Sequence, residues 1–309
     1  MITFIVNETS GRGRAASVWR RLRRQLIADG VSFRAWSTRQ PGEATELARL
    51  ASVGDGDLKK IVVVGGDGTV NEVLNGIDDL AHTALGVVPI GSGNDFVRGL
   101  RLPRRPEQAL ARALASDGSR RIDLGQVTAD GHAPRRFAIS GGIGMDAWVC
   151  AKVDTSRLKT SLNSLGLGSL SYAMITLSAP WNLETADGTV TLETSYGSHS
   201  VDLRALIFLA CMNFPWEGGG VPIAPGASAE DGCFSVCLAQ NLSSRQVLAK
   251  LPRLALGKHI HTNGVTLLPA SRVSVQLNAP LYVHADGEVA GKSRRVVFEV
   301  LPKALRVLV

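Results

Sequence analysis

The segment VVVGGDGTVNEVLNGI, Val62 to Ile77, places Gly65, Gly66 and Gly68 around one acidic residue, between an apolar run and a helical pattern. Glycines tolerate positive φ and let the backbone approach a ligand closely, and the N–H groups opening a helix near Thr69 offer an anion site. That combination suits phosphate. Among phosphates, Asp67 serves best by holding Mg²⁺, directly or through water; by itself it would be a solvated turn aspartate. A second turn lies in LGVVPIGSGNDFVRGL, Leu85 to Leu100, where Ser92 offers a hydroxyl and Asn94 a helix cap. Two such turns at neighbouring strand ends can enclose one ligand.

The elements that must position these turns follow from periodicity. Short β-branched runs at 2–6, 31–36, 60–64 and 85–89 alternate with helical stretches. One helix, Arg14 to Asp29, sets Ala15, Val18, Leu22 and Leu26 on a stripe and turns Arg20, Arg21, Arg23 and Arg24 away from it. The pattern predicts a mostly parallel sheet covered on both faces, with ligands at the carboxyl ends of its strands. Beyond about residue 120 strand-like runs dominate: Arg136 to Ser140, Thr189 to Thr194, Leu203 to Ala210, Phe234 to Leu238 and Arg272 to Leu277. These predict an antiparallel sandwich or barrel. The expected fold class is α/β, with an N-terminal α/β domain over 1–120 and a β-rich domain over 121–293; 294–309 is again strand-like, and its return to the first domain is an expectation that periodicity leaves open. An apolar helical interruption, Leu165 to Ser178, is suited to cap the core or line a lipid slot.

Composition narrows the partners. A chain of 309 residues with 45% hydrophobic content favours two cores over one. The formal charge of +7 favours an anionic partner. Aromatic residues are only 5% and do not interleave with the basic runs, which argues against nucleic acid. Cys150, Cys211, Cys233 and Cys237 lack CxxC spacing and read as buried thiols. Met1 leads straight into a strand-like run without signal-peptide features, and no apolar run reaches the roughly 20 residues of a membrane span. The expectation is a cytoplasmic protein that meets membrane only peripherally.

GGDGTVNEVLNG followed by PIGSGNDFVRGL resembles the diacylglycerol kinase catalytic domain, shared by soluble bacterial diacylglycerol kinases and by sphingosine and ceramide kinases. The resemblance implies an ATP-dependent lipid kinase using Mg²⁺, with a lipid alcohol, most simply diacylglycerol, as substrate and an anionic membrane surface as partner; a homodimer is left open. Opening VNETSGRGR resembles the family's nucleotide loop, so Asn7, Thr9, Ser10 and Gly11 are implied ATP contacts, with Glu8 replacing the usual proline. Thr38 joins them, as do Gly65, Gly66, Asp67, Gly68, Thr69, Asn71, Ser92 and Asn94. Asp123, in RRIDLGQV, is implied in the active-site polar network. Glu288, in YVHADGEVA, is implied as general base, although Asp286-Gly287 alone is an ordinary hairpin signal. Ser228, Asp231 and Cys233 fall where some bacterial relatives hold a structural Mg²⁺, and a turn entering a strand explains them equally. The resemblance places Asp123 and Glu288 in a cleft between the domains.

Other features are weaker. His259 and His261 share one side of an extended segment but lack companions for a zinc set. Gly218, Gly219 and Gly220 form a long turn or a loop over substrate. The Arg20 to Arg24 run is a solvated face or, with Arg12 and Arg14, a surface for anionic headgroups. Rival readings are an NAD or sugar kinase with a related GGDG turn, a silent nucleotide or lipid sensor, and a kinase of another lipid alcohol such as phosphatidylglycerol or a sphingoid base.

Overall fold

The computed structural model describes residues 1–54, 57–155, 181 and 184–309. It divides the chain into two compact units, Met1–Leu124 with Pro302–Val309, and Gly125–Leu301.

Unit one alternates β1 (Ile2–Val6), α1 (Arg14–Ala28), β2 (Phe33–Ser37), α2 (Glu43–Ser52), β3 (Lys59–Gly65), α3 (Asp67–Gly76), β4 (Thr83–Pro89), α4 (Asp95–Gly99) and α5 (Pro106–Ala115). The strands pair in parallel in the order β4, β3, β1, β2. Arg306 and Val307 return to extend this sheet beside Ala84 and Leu85. Ile61 to Val64 are wholly buried, as a parallel strand covered on both faces requires. Helix α1 buries Ala15, Val18, Leu22 and Leu26, and also Trp19, whose ring lies 5.1 Å from Phe4. Of the arginines turned away from that stripe, Arg21 pairs with Glu107 of α5.

Unit two is built on β5 (Arg121–Ala129), β6 (Arg135–Phe137), β7 (Ser140–Gly144), α6 (Met145–Thr155), β8 (Ala186–Thr194), β9 (Gly197–Met212), β10 (Phe234–Gln240), α7 (Ser244–Ala255), β11 (Val265–Ala270), β12 (Arg272–Ala285) and β13 (Glu288–Val307). Antiparallel pairing links β11, β10, β9, β7 and β12, and β8 joins both β9 and β12. Phe137 stacks on Phe234 with ring centroids 5.5 Å apart, and Phe298 meets Phe137 edge-on.

Several expectations change in detail. The strand read over Arg136 to Ser140 is broken at Ala138 and Ile139, because their N–H groups turn to the Asp286 carboxylate instead of a neighbouring strand. Helices α6 and α7 interrupt a region read as strands. The signal for α7 was the capping box of Ser243 and Gln246, which satisfies orphan N–H groups at the helix start. His259 and His261 sit in a short 3-10 turn rather than an extended segment. Cys150, Cys211 and Cys237 are buried, whereas Cys233 is only partly so. The Leu165 to Ser178 segment lies outside the described residues.

Candidate active site

In unit one, three loops that follow parallel strands come together through small residues and backbone. A Cβ built on Gly66 would lie 3.1 Å from the Gly91 Cα, and one on Gly91 would lie 2.8 Å from the Gly66 Cα. The two turns therefore touch backbone to backbone, and any side chain at either would push them apart. This is a different use of glycine from the one expected. Gly66 is extended, with φ −110° and ψ −174°, and Gly65 and Gly68 are likewise absent from the positive-φ positions. Helix α3 begins directly at Asp67, earlier than Thr69, which leaves no room for a left-handed residue. The third loop is anchored at Gly11, where φ is +59° and a Cβ would lie 2.5 Å from the Ile90 carbonyl oxygen.

Hydrogen bonds tie these loops together. Asn7 Nδ2 donates to Thr69 Oγ1 at 3.0 Å, while the Thr9 N–H and hydroxyl donate to Asn7 Oδ1 at 3.2 and 2.7 Å. The Ser10 N–H donates to the Asn7 carbonyl at 3.1 Å, the Thr38 N–H to Val6 at 2.9 Å, and the Ile90 N–H to Gly65 at 2.8 Å. Glu8 accepts from the Ser37 hydroxyl at 2.7 Å, which occupies the acid that replaces the usual proline. Ser92 is exposed. Asn71 is wholly buried, and its carbonyl accepts from Asn75 Nδ2 at 2.9 Å.

Asp67 takes a role the sequence reading missed. Its two carboxylate oxygens accept the N–H groups of Asp95 and Phe96 at 3.1 and 3.2 Å, capping α4 from the neighbouring turn. Asn94 was expected to provide that cap. It adopts the left-handed conformation and instead donates Nδ2 to the Gly91 carbonyl at 2.7 Å. Among the described residues no group of three His, Cys, Asp or Glu side chains stands close enough together to hold a metal ion.

In unit two, Glu288 follows a two-residue hairpin whose centre, Asp286 and Gly287, has φ of 52° and 83°, as a type I′ turn demands. Asp286 pins the hairpin: its carboxylate accepts from Ala138, Ile139 and Ser140 at 2.9, 2.7 and 3.1 Å. Beside it lies a cluster absent from the sequence reading. His284 is wholly buried, with Nε2 3.2 Å from Asp146 Oδ2 and 3.6 Å from Glu217 Oε1.

Comparison with known proteins decides the family. Residues 1–127 match the diacylglycerol kinase catalytic domain, and residues 140–309 match the YegS C-terminal NAD kinase beta sandwich-like domain. The chain belongs to the diacylglycerol kinase family of lipid kinases. It is 30% identical over 291 residues to the Bacillus subtilis protein named "Putative lipid kinase YtlR", covering 93% of each chain. It is 28% identical over 288 residues to a Bacillus subtilis diacylglycerol kinase, covering 93% of this chain and 89% of that one. The solved structure of a "putative diacylglycerol kinase" from Bacillus anthracis shares the fold, with a TM-score of 0.72 at 21% identity over 99% of this chain and 96% of that one.

The remaining candidates of this lipid kinase have plain structural partners. Asp123 is 1% exposed, and its Oδ1 accepts the Lys303 N–H at 2.7 Å, where Lys303 is left-handed. Asp231 Oδ1 accepts the Cys233 N–H at 3.1 Å, and Ser228 Oγ accepts the Glu230 N–H at 3.3 Å, the bonds of a turn entering β10. His259 is buried, with Nε2 2.9 Å from the Ile223 carbonyl. Gly218, Gly219 and Gly220 all have positive φ, and the loop closes through the Glu217 and Val221 bridge.

Burial dominates the electrostatics around His284. It pushes the Glu217 carboxyl up to about 7, the nearby imidazole pulling down and the Asp146 and Asp286 charges pushing further up. For His284 burial alone would depress the pKa, but the Glu217 charge and the bond to Asp146 outweigh it and lift it to about 9. The Gly287 N–H pulls the other way, since it points at Nδ1 from 3.2 Å and a proton there would face it. The Nδ1 that accepts this N–H carries no proton, so the geometry favours the neutral imidazole, with its proton on Nε2 toward Asp146, over the raised value. Sequence reasoning passed over this cluster because Asp146, Glu217 and His284 lie far apart in the chain, and His284, though inside the YVHADGEVA stretch, carries no signal there of its distant partners.

Proposed function

We propose that this lipid kinase transfers the γ-phosphoryl group of ATP, bound with Mg²⁺, to the free hydroxyl of diacylglycerol, yielding phosphatidic acid and ADP. The observation that carries this reading is the backbone contact of the Gly66 and Gly91 turns. Such a contact leaves N–H groups and space but no side chain, which is what a polyphosphate chain requires. The Asn7 to Gly11 loop and Thr38 would border the nucleotide. Diacylglycerol as acceptor follows the relative that carries that name.

In the proposed reaction Glu288 accepts the proton of the lipid hydroxyl as its oxygen bonds to the γ-phosphorus and the bond to the β,γ-bridging oxygen breaks. Mg²⁺, when bound, offsets the charge of the phosphates, and Asp67 would hold one of its waters. The acyl chains need an apolar wall. Unit two offers an apolar depression between α7 and the sheet, about 30 Å³ in volume and so a wall rather than an enclosed slot, lined by Ile207, Phe208, Val247, Leu251 and Val265 among others. Among the described residues no helix is long and apolar enough to cross a membrane, so the lipid would be met at a surface. Arg20, Arg23 and Arg24 are exposed on α1 and suit anionic headgroups.

A radiolabelled ATP assay against a panel of lipid alcohols in mixed micelles tests the reading. Labelled phosphatidic acid as the main product is expected. Transfer to phosphatidylglycerol or a sphingoid base instead would change the acceptor. ATP binding with no labelled lipid across the panel would leave a nucleotide sensor in place of a kinase.

A further inference from the structure

The Asp286 and Gly287 turn would fold as a type I′ hairpin from its Asp-Gly sequence alone, yet the chain commits a buried histidine to it. His284 ends β12, and its Nδ1 accepts the Gly287 N–H at 3.2 Å. The residue after that N–H is Glu288. On its other side the imidazole is held by Asp146 Oδ2 at 3.2 Å. Asp146 is itself fixed where α6 begins, since its Oδ1 accepts the Ala147 N–H at 2.8 Å. Glu217 closes the third side at 3.6 Å. Room for the ring is made at Gly142, where a Cβ would lie 2.1 Å from Asp146 Oδ2 and 2.6 Å from His284 Nε2.

Burying an imidazole among carboxylates is a costly way to stabilise a strand end, and apolar residues of similar volume often do as well or better. What the cluster achieves that apolar packing cannot is direction. It fixes the orientation of the Gly287 N–H, and with it the Asp286–Gly287 peptide, one step before the peptide that leads into Glu288. A group that must meet a substrate proton within hydrogen-bond reach gains most from such fixing, because small misplacements cost large factors in rate.

We propose that His284, oriented by Asp146 and given space by Gly142, is a positioning residue that holds the Gly287 peptide so that Glu288 is aimed at the lipid hydroxyl. This rests on the reading of Glu288 as the general base. His284 does not itself touch substrate; it acts through the hairpin.

The test compares His284→Asn with His284→Gln in the full chain. An asparagine amide can stand near the position of Nδ1 and still accept the Gly287 N–H, whereas a glutamine amide stands near Nε2 and serves Asp146 instead. The readouts are kcat and KM for ATP with diacylglycerol in mixed micelles, and the hydrogen-exchange protection of the Gly287 amide. His284→Gln should lose at least tenfold in kcat, with KM for ATP within twofold, and lose Gly287 protection. His284→Asn should keep protection and lose less than threefold. Gly142→Ala, whose methyl would displace the ring, should reproduce the kcat loss and serves if His284→Gln does not fold. The proposal is overturned if Asn and Gln variants lose turnover equally, or if Gly287 protection disappears while kcat is unchanged. Failure of the Glu288 reading has a separate signature: Glu288→Gln would turn over normally while Gly287 stayed protected.

Discussion

The Gly66 and Gly91 turns of unit one and the Asp286 to Glu288 hairpin of unit two solve opposite problems with opposite materials. The first is made of backbone. Its side chains are absent at the point of contact, and the Asp67 carboxylate beside it accepts helix N–H groups. The second is made of ionisable side chains around one buried histidine, with Asp146 and Glu217 each within 3.6 Å of His284. A polyanion is best met by fixed N–H dipoles and empty space, whereas a proton acceptor is a charge whose direction must be held. Damage to the first region should therefore appear in nucleotide binding, and damage to the second in turnover.

The largest test of that division is Glu288→Gln. It keeps the shape of the side chain but removes the proton acceptor, and kcat should fall about 10² to 10⁴-fold. ATP binding, measured by titration calorimetry, should survive. A raised KM with unchanged kcat would instead make Glu288 a binding residue. Wild-type turnover in a folded Glu288→Gln protein, with chemistry rate-limiting, would remove it from the mechanism.

The second test uses pH. Glu217 is raised from 4.5 to about 7 by burial first. The folded protein thus holds a proton between those values that the unfolded chain releases, and stability present below 4.5 is lost as pH rises through 7. Because 16% of the Glu217 side chain still meets solvent, its share should be on the order of 2 kcal/mol rather than the full linkage value. Melting temperatures should decline as pH rises from about 5.5 to about 7, and Glu217→Gln should flatten the curve. An identical slope in the variant would show that the cluster does not titrate in this range.

Gly66→Val comes third. It should raise the apparent ATP constant at least tenfold, equivalent to about 1.4 kcal/mol, with kcat at saturating ATP little changed. Because its Cβ would meet Gly91 at 3.1 Å, stability should also fall by about 1 to 3 kcal/mol through overpacking. Unchanged ATP kinetics in the folded variant would move the nucleotide elsewhere.

The smallest effect concerns the basic face of α1, outside both regions. Arg21 is committed to Glu107, so Arg23→Gln is the cleaner change, and it should weaken binding to acidic vesicles by about 1 kcal/mol at low salt. Equal co-sedimentation of variant and wild type would leave this side chain as a solvated arginine.

The sequence alone determined the glycine turns, the alternation of strands and helices in unit one, the antiparallel character of unit two and the family. Each of these is local. A glycine turn between an apolar strand and a helix, or a period of two or 3.6, is written in residues that are neighbours in the chain. Only the tertiary structure decided what Gly66 is for, because its contact with Gly91 joins separate turns. It alone showed that Asp67 caps α4, that Asn71 and Asp123 face inward, and that His284 meets Asp146 and Glu217. Those residues are 138 positions apart for the Asp146 bond, and no spacing rule spans such a distance. Burial and approach distance are properties of the folded chain, and they decide whether a carboxylate is a cap, a metal partner or one wall of a histidine's cage.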